Sequence, residues 1–117
     1  MTGSSEAPRQ GEVWLADLSP HRGHEQGGRR LALVVSVDKF NEGPAGLVIV
    51  APITAVDKRQ PLHVRIEPPE GGVRRPSFAK SEDVRSISVE RLVERWASVR
   101  RPTLEAVVRR LHLLTST

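Results

Sequence analysis

The sequence predicts a mainly β domain with a C-terminal α-helix. Three observations predict it. Seven short apolar runs, most of them rich in Val and Ile, follow one another along the chain. Gly, Pro, Asn and Ser punctuate the spaces between them. Near the end, one stretch instead repeats its apolar residues at helical spacing. Runs of four to eight residues with such breaks read as strands, and a 3.6-residue period reads as a helix.

The elements follow in order. Met1 to Pro8 is small and polar without a periodic apolar pattern, which predicts a flexible tail over 1–8 and a folded domain over 9–117. Gly11 to Leu18 alternates Val13 and Leu15 with polar or small neighbours and stops at Ser19-Pro20, a half-buried strand. Leu31 to Val37 and Leu47 to Ile53 are near-continuous apolar runs, as in strands buried on both faces. Pro52 within the second run predicts a bulge or an unpaired position there. His63 to Ile66, Phe78 to Ser81, Val84 to Val89 and Trp96 to Val99 read as further short strands, with a Pro- and Gly-rich turn over Glu67 to Pro76. Pro102 then opens the helix, with Thr103 as its cap. Leu104, Val107, Val108, Leu111 and Leu114 form its core-facing stripe, and Arg109, Arg110 and His112 its solvated side. The sum is a small, partly closed β-barrel whose terminal helix covers one opening.

Charge and composition narrow the function classes. Fifteen of the 18 basic residues are arginine and the net charge is +4, which suits a polyanionic partner. With no cysteine there is no disulfide framework, no thiolate nucleophile and no thiolate metal site. His21 and His24 resemble half a metal site, but no second pair supports them, so neither metal nor cofactor is expected. Only Trp14, Phe40, Phe78 and Trp96 are aromatic, too few for a platform that stacks base after base. No stretch approaches the roughly 20 apolar residues that span a bilayer, and no basic-then-apolar leader opens the chain. A cytoplasmic protein without a membrane partner is the expectation.

The most unusual stretch joins the first two strands: His21-Arg22-Gly23-His24-Glu25-Gln26-Gly27-Gly28-Arg29-Arg30. A hairpin needs only two to five residues, so a loop this long points to function or to solvated flexibility. Glycines let backbone N–H groups approach an anion, and arginines neutralise it.

These residues also carry a resemblance. GEVWLADLSP, GHEQGGRR-LALVVS, FN, VIVAPIT, PLHVRI and EDVRSI stand in the order and spacing of the MazF/PemK toxin ribonucleases, from about Gly11 to Thr103. The resemblance implies a small SH3-like barrel of the PemK/CcdB plasmid-maintenance toxin type. It further implies a homodimer, sequence-selective and metal-independent cleavage of single-stranded RNA, and neutralisation by a cognate MazE-like antitoxin. It assigns a catalytic role to Arg30, the arginine after E-Q-x-G-x, and makes Thr54, after VIVAPI, its partner. Two positions depart from the family pattern: Leu31 stands where proline commonly follows the arginine, and Asp83 where glutamine is usual.

Chemistry limits what each residue could do. Cleavage without a metal uses the adjacent 2′-hydroxyl as nucleophile. It needs a proton acceptor, a donor to the leaving oxygen, and positive charge at the developing phosphorane. Arg30 stays protonated and supplies the charge and a bidentate fork. Thr54 can donate to a non-bridging oxygen; alternatively it is a strand-end hydroxyl bonded to backbone. Glu25 is the candidate base, the alternative being an ion pair with Arg22 or Arg29. Arg22, His24, Gln26, Gly27, Gly28 and Arg29 are expected to line the RNA, with Arg85 on a phosphate or base and Asp83 affecting base preference. His63 is expected to bond to backbone. Arg74-Arg75 and Arg100-Arg101 read as solvated turn charges, and Phe40-Asn41 as either groove flank or core. Two rival functions share the barrel. One is a toxin acting on DNA gyrase, as the related CcdB toxins do without an EQGGRR loop, and the other a non-catalytic RNA-binding barrel.

Overall fold

The computed structural model of the chain describes residues 6–18 and 28–117. Seven antiparallel strands and a C-terminal helix make the fold. The strands are β1 (Glu12–Asp17), β2 (Arg29–Val34), β3 (Leu47–Thr54), β4 (His63–Ile66), β5 (Ser77–Lys80), β6 (Arg85–Ser88) and β7 (Leu92–Ser98). A four-residue helix α1 (Asp38–Asn41) lies between β2 and β3, and α2 (Arg101–Thr115) ends the fold. All seven predicted strands are present. The sheet runs β4-β5-β3-β2-β1-β7 with β6 on β3, so it is not closed, and barrel describes its shape only loosely.

The central strand explains both apolar runs. On one edge β3 pairs with β2, as in Leu33↔Ala51 and Ala32↔Pro52. Its other edge is divided between β6, over Leu47–Val50, and β5, from Ile53 onward. Pro52 stands where that edge changes partner, the place where a missing N–H costs the ladder least. Alternate residues of β1–β3 then face two cores. Val13, Leu33, Ala51, Ile53 and Ile66 form one, sealed by Val107 of α2. Ala16, Ala32, Val34, Val48, Val50 and Ile87 form the other. Leu33 and Val107 are both fully buried, and truncating Leu33 to Ala would cost about 2–5 kcal/mol.

Several expectations are corrected at the element ends. β2 begins at Arg29 and not at Leu31, because Arg29 and Arg30 pair with Asp17 and Ala16. It also ends early, at Val34, where Ser36 and Val37 lead into α1. β7 starts four residues before Trp96; as the edge strand it carries Glu94 and Arg95 outward, which hid its period. Thr103 does not cap α2. The N-cap is Arg100, with Pro102 inside the first turn where its missing N–H is harmless, and Thr103 is buried. The Glu70 carboxylate receives the Arg100 N–H at 2.8 Å, placing negative charge at the helix start. Leu114 leaves the core stripe and is 48% exposed, beyond the reach of the sheet. Pro8, at the end of the predicted tail, is buried, and its carbonyl accepts from Asn41 at 3.0 Å. Among the described residues, no helix is long and apolar enough to cross a membrane.

Candidate nucleic-acid interface

The neck of the β1–β2 connection sets the position of the key arginine. Gly28 has φ 81, a left-handed conformation that suits glycine, and its carbonyl accepts the Leu18 N–H at 3.0 Å. The chain enters β2 immediately afterwards, so Arg30 is fixed by strand pairing with Ala16. Arg30 and Thr54 each lie two residues beyond the last β2–β3 pair, Ala32↔Pro52, at the same end of the ladder. Both residues are half-buried, and both line two neighbouring clefts. The Thr54 hydroxyl oxygen accepts the Val56 N–H at 3.1 Å, as in the backbone-bonded reading, which leaves its own proton free to donate.

The first cleft extends from Arg30 and Thr54 past Leu18 and Pro52 to Lys58, His63, Lys80, Asp83 and Arg85. Two of its cations are paired with one carboxylate. Asp83 accepts from Lys80 and Arg85, each at 3.4 Å, and Arg85 is brought there by pairing with Val50. His63 corrects the expectation of a backbone partner. It stands opposite Lys80, and its Nε2 meets the Glu82 carboxylate at 2.9 Å. Its side chain is 4% exposed, and Nδ1 has no partner among the described residues.

The second cleft lies on the other side of the same pair. Leu31, Ile53 and Val73 give it an apolar floor, and Arg29, Arg30, Arg74 and Arg75 surround it together with Trp96. No carboxylate lines it, and none of the four arginines forms an ion pair among the described residues. The Arg74 guanidinium lies over the Trp96 ring, 5.4 Å from its centroid.

The structure therefore brings together Arg29, Arg30, Thr54, Asp83 and Arg85, with Gly28 at the neck. Glu25, Arg22, His24, Gln26 and Gly27 lie outside the described residues. Arg74 and Arg75 are exposed turn residues, as expected, and both also line the second cleft. Sequence reasoning also passed over Lys58, Lys80 and Trp96; the one available signal was an Arg pair beside a turn. Arg100 and Arg101 are solvent-exposed as expected. Phe40 and Asn41 line neither cleft. Asn41 is buried and bonded to Ser36 and Pro8, and Phe40 is partly exposed on α1.

Comparison with known proteins places this geometry. Residues 9–115 match the model of the PemK-like, MazF-like toxin of type II toxin–antitoxin systems. The chain is 37% identical over 90 residues to the endoribonuclease MazF9 of Mycobacterium tuberculosis, covering 73% of this chain and 76% of that one. It is similar to the crystal structure of MazF from Deinococcus radiodurans, with a TM-score of 0.82, 30% identity, and coverage of 95% of this chain and 98% of that one. A MazE–MazF structure from the same organism matches with a TM-score of 0.78 and 31% identity, over 95% and 98% of the two chains.

Proposed function

The chain belongs to the PemK-like, MazF-like toxin family of type II toxin–antitoxin systems, and from that premise we propose how it works as an RNA-cleaving toxin. Its partner is a cognate antitoxin of the MazE kind, as in the related complexes. The substrate is single-stranded RNA in the cytoplasm, cut without a metal by a homodimer. The observation that carries the mechanism is that Arg30 and Thr54 line the same two clefts, at their junction.

A phosphate seated at that junction meets a guanidinium that forms no ion pair among the described residues and a hydroxyl with a proton to give. The 2′-hydroxyl of the preceding nucleotide attacks the phosphorus. Negative charge grows on the non-bridging oxygens, where the Arg30 fork and the Thr54 O–H stabilise it. The bond from phosphorus to the 5′-oxygen of the following nucleotide breaks, that oxygen takes a proton from solvent water, and a 2′,3′-cyclic phosphate remains. Because Arg30 remains protonated, a different group must take the 2′ proton, and Glu25 in the neighbouring loop is the carboxylate proposed for it. The two other uses of the same fold, acting on gyrase or binding RNA without cutting it, find less support, since the relatives are named endoribonucleases.

Incubation of the purified protein with single-stranded RNA in excess EDTA tests this reading. Cyclic-phosphate ends are expected, and a 2′-deoxy nucleotide immediately before the cut should abolish cleavage. Activity lost in EDTA and restored by magnesium would overturn the mechanism.

A further inference from the structure

We propose that Arg74 and Trp96 form a nucleotide subsite beside the cut, where this cation–π pair holds the base of the adjoining nucleotide. This rests on the RNA-cleaving reading above, because it extends the track of the same strand. RNA crossing Arg30 and Thr54 must continue on both sides of its cut phosphate. The second cleft opens directly from that pair, and among the described residues its rim is cationic without a lining carboxylate.

The two tryptophans of this chain differ in a way that singles out one of them. Trp14 is accounted for by the fold: its Nε1 donates to the buried Glu12 carboxylate at 2.9 Å, and Glu12 also receives the Arg9 N–H at 2.9 Å and pairs with Arg95 at 3.1 Å. Trp96 sits on the edge strand, half-buried, with its Nε1 3.4 Å from Glu94 and one side of the residue pressed against the Glu70–Gly72 turn. A Cβ at position 72 would lie 3.3 Å from Trp96 Cβ and 3.4 Å from Cε3, so glycine there, at φ 82, lets the indole settle. The ring is thus held in place from behind while it lines the cleft.

A flat ring under a flat guanidinium, at the edge of a cleft rimmed by arginines, suits one nucleotide. Bases stack on aromatic faces and on arginine planes alike, and a freed guanidinium takes phosphate. The base stacks on Arg74 or takes its place on the indole, while Arg29 and Arg75 are available to the backbone. Every base presents a π-face, so this subsite adds affinity without choosing the sequence. A single stacking position is compatible with the scarcity of aromatics in the chain.

The test uses the intact protein and a single-stranded DNA oligonucleotide of the cleaved sequence, which lacks the attacking hydroxyl. Saturating oligonucleotide, followed independently by anisotropy, should quench the part of tryptophan emission that disappears in Trp96→Phe. For RNA cleavage, Trp96→Leu should raise KM by about 5- to 100-fold, the range for loss of one stacked base. Its kcat should stay within about threefold, and Trp96→Phe should recover most of the loss. RNA trimmed on one side of the cut, so that no nucleotide reaches the cleft, should make wild type and Trp96→Leu alike. Unquenched emission on a bound oligonucleotide, or an unchanged KM in a Trp96→Leu protein with native circular dichroism, overturns the subsite. Emission that follows protein concentration and ignores oligonucleotide overturns it in favour of contact between copies. The function can fail separately: a protein that quenches with oligonucleotide yet leaves RNA uncut keeps the subsite and loses the nuclease.

Discussion

Two clefts share Arg30 and Thr54 but hold their charge differently. In the cleft of Asp83, a carboxylate engages both Lys80 and Arg85 at 3.4 Å and orients their donors. In the cleft of Trp96, four arginines surround an apolar floor with no lining carboxylate among the described residues. A cation already paired gives up part of its Coulombic gain when phosphate arrives, but it presents donors in a defined direction. An unpaired cation gains in full from any phosphate and distinguishes no base. Under the proposed function, the difference implies a division of labour in which the Asp83 side selects and the Trp96 side holds.

The largest expected effect lies where the clefts meet. Arg30→Ala should lower kcat by roughly 10²–10³-fold, the scale for removing one charge-stabilising donor. Arg30→Lys keeps the charge without the fork and should recover only part of it. RNA affinity, measured with the uncleavable oligonucleotide, should fall far less, because both clefts still grip the strand. Equal losses of affinity and turnover would turn Arg30 into a binding residue and erase the distinction between the junction and its two arms.

Next in size is the salt dependence of binding. Each phosphate contact to a single strand contributes about 0.7 to the slope of log K against log salt. Arg74→Ala with Arg75→Ala should therefore lower the slope by about 1.4. Arg85→Ala should lower it by less than one contact's worth, because Asp83 already holds part of that charge. If Arg85→Ala flattens the slope as much as the double substitution does, the two clefts are equivalent and the comparison fails.

How much of this the sequence discloses depends on the range of the interactions involved. Local patterns located all seven strands and α2, because alternation and 3.6-residue spacing are set by the chain's own neighbours. The strand status of Arg29 and Arg30 was hidden, since it depends on pairing with Asp17 and Ala16 and not on apolar content. Arg30 and Thr54 came through resemblance, and their meeting at the same clefts could not be read from residues 24 positions apart. Arg74, Arg75 and Trp96 meet only after the Glu67–Pro76 turn has packed against β7. His63 looked like an ordinary strand residue because its partner, Glu82, arrives from a separate turn. What stayed illegible in each case was a long-range contact between polar residues, which leaves no periodic trace.

The smallest and most selective effect is expected at Asp83, where the resemblance leads one to look for glutamine. A carboxylate only accepts hydrogen bonds, and here it spends that capacity on Lys80 and Arg85. Asp83→Gln removes the charge and supplies two donors, so Lys80 and Arg85 are released together. Both are more than a quarter exposed, and such ion pairs contribute about 0–1 kcal/mol, so folding should be little changed. The released cations should steepen the salt dependence of this cleft and make it resemble the Trp96 side. Preference at the base contacted there should change, since the directed donors have moved and an amide now competes for the same edge. The rate on the best substrate should stay broadly intact, because Arg30 and Thr54 are untouched. Sequencing the ends released from an RNA library by wild type and Asp83→Gln reads this directly. Identical cleavage-site preference with an unchanged salt slope would show that Asp83 governs neither base choice nor local charge, and selection would then have to reside in the β1–β2 loop.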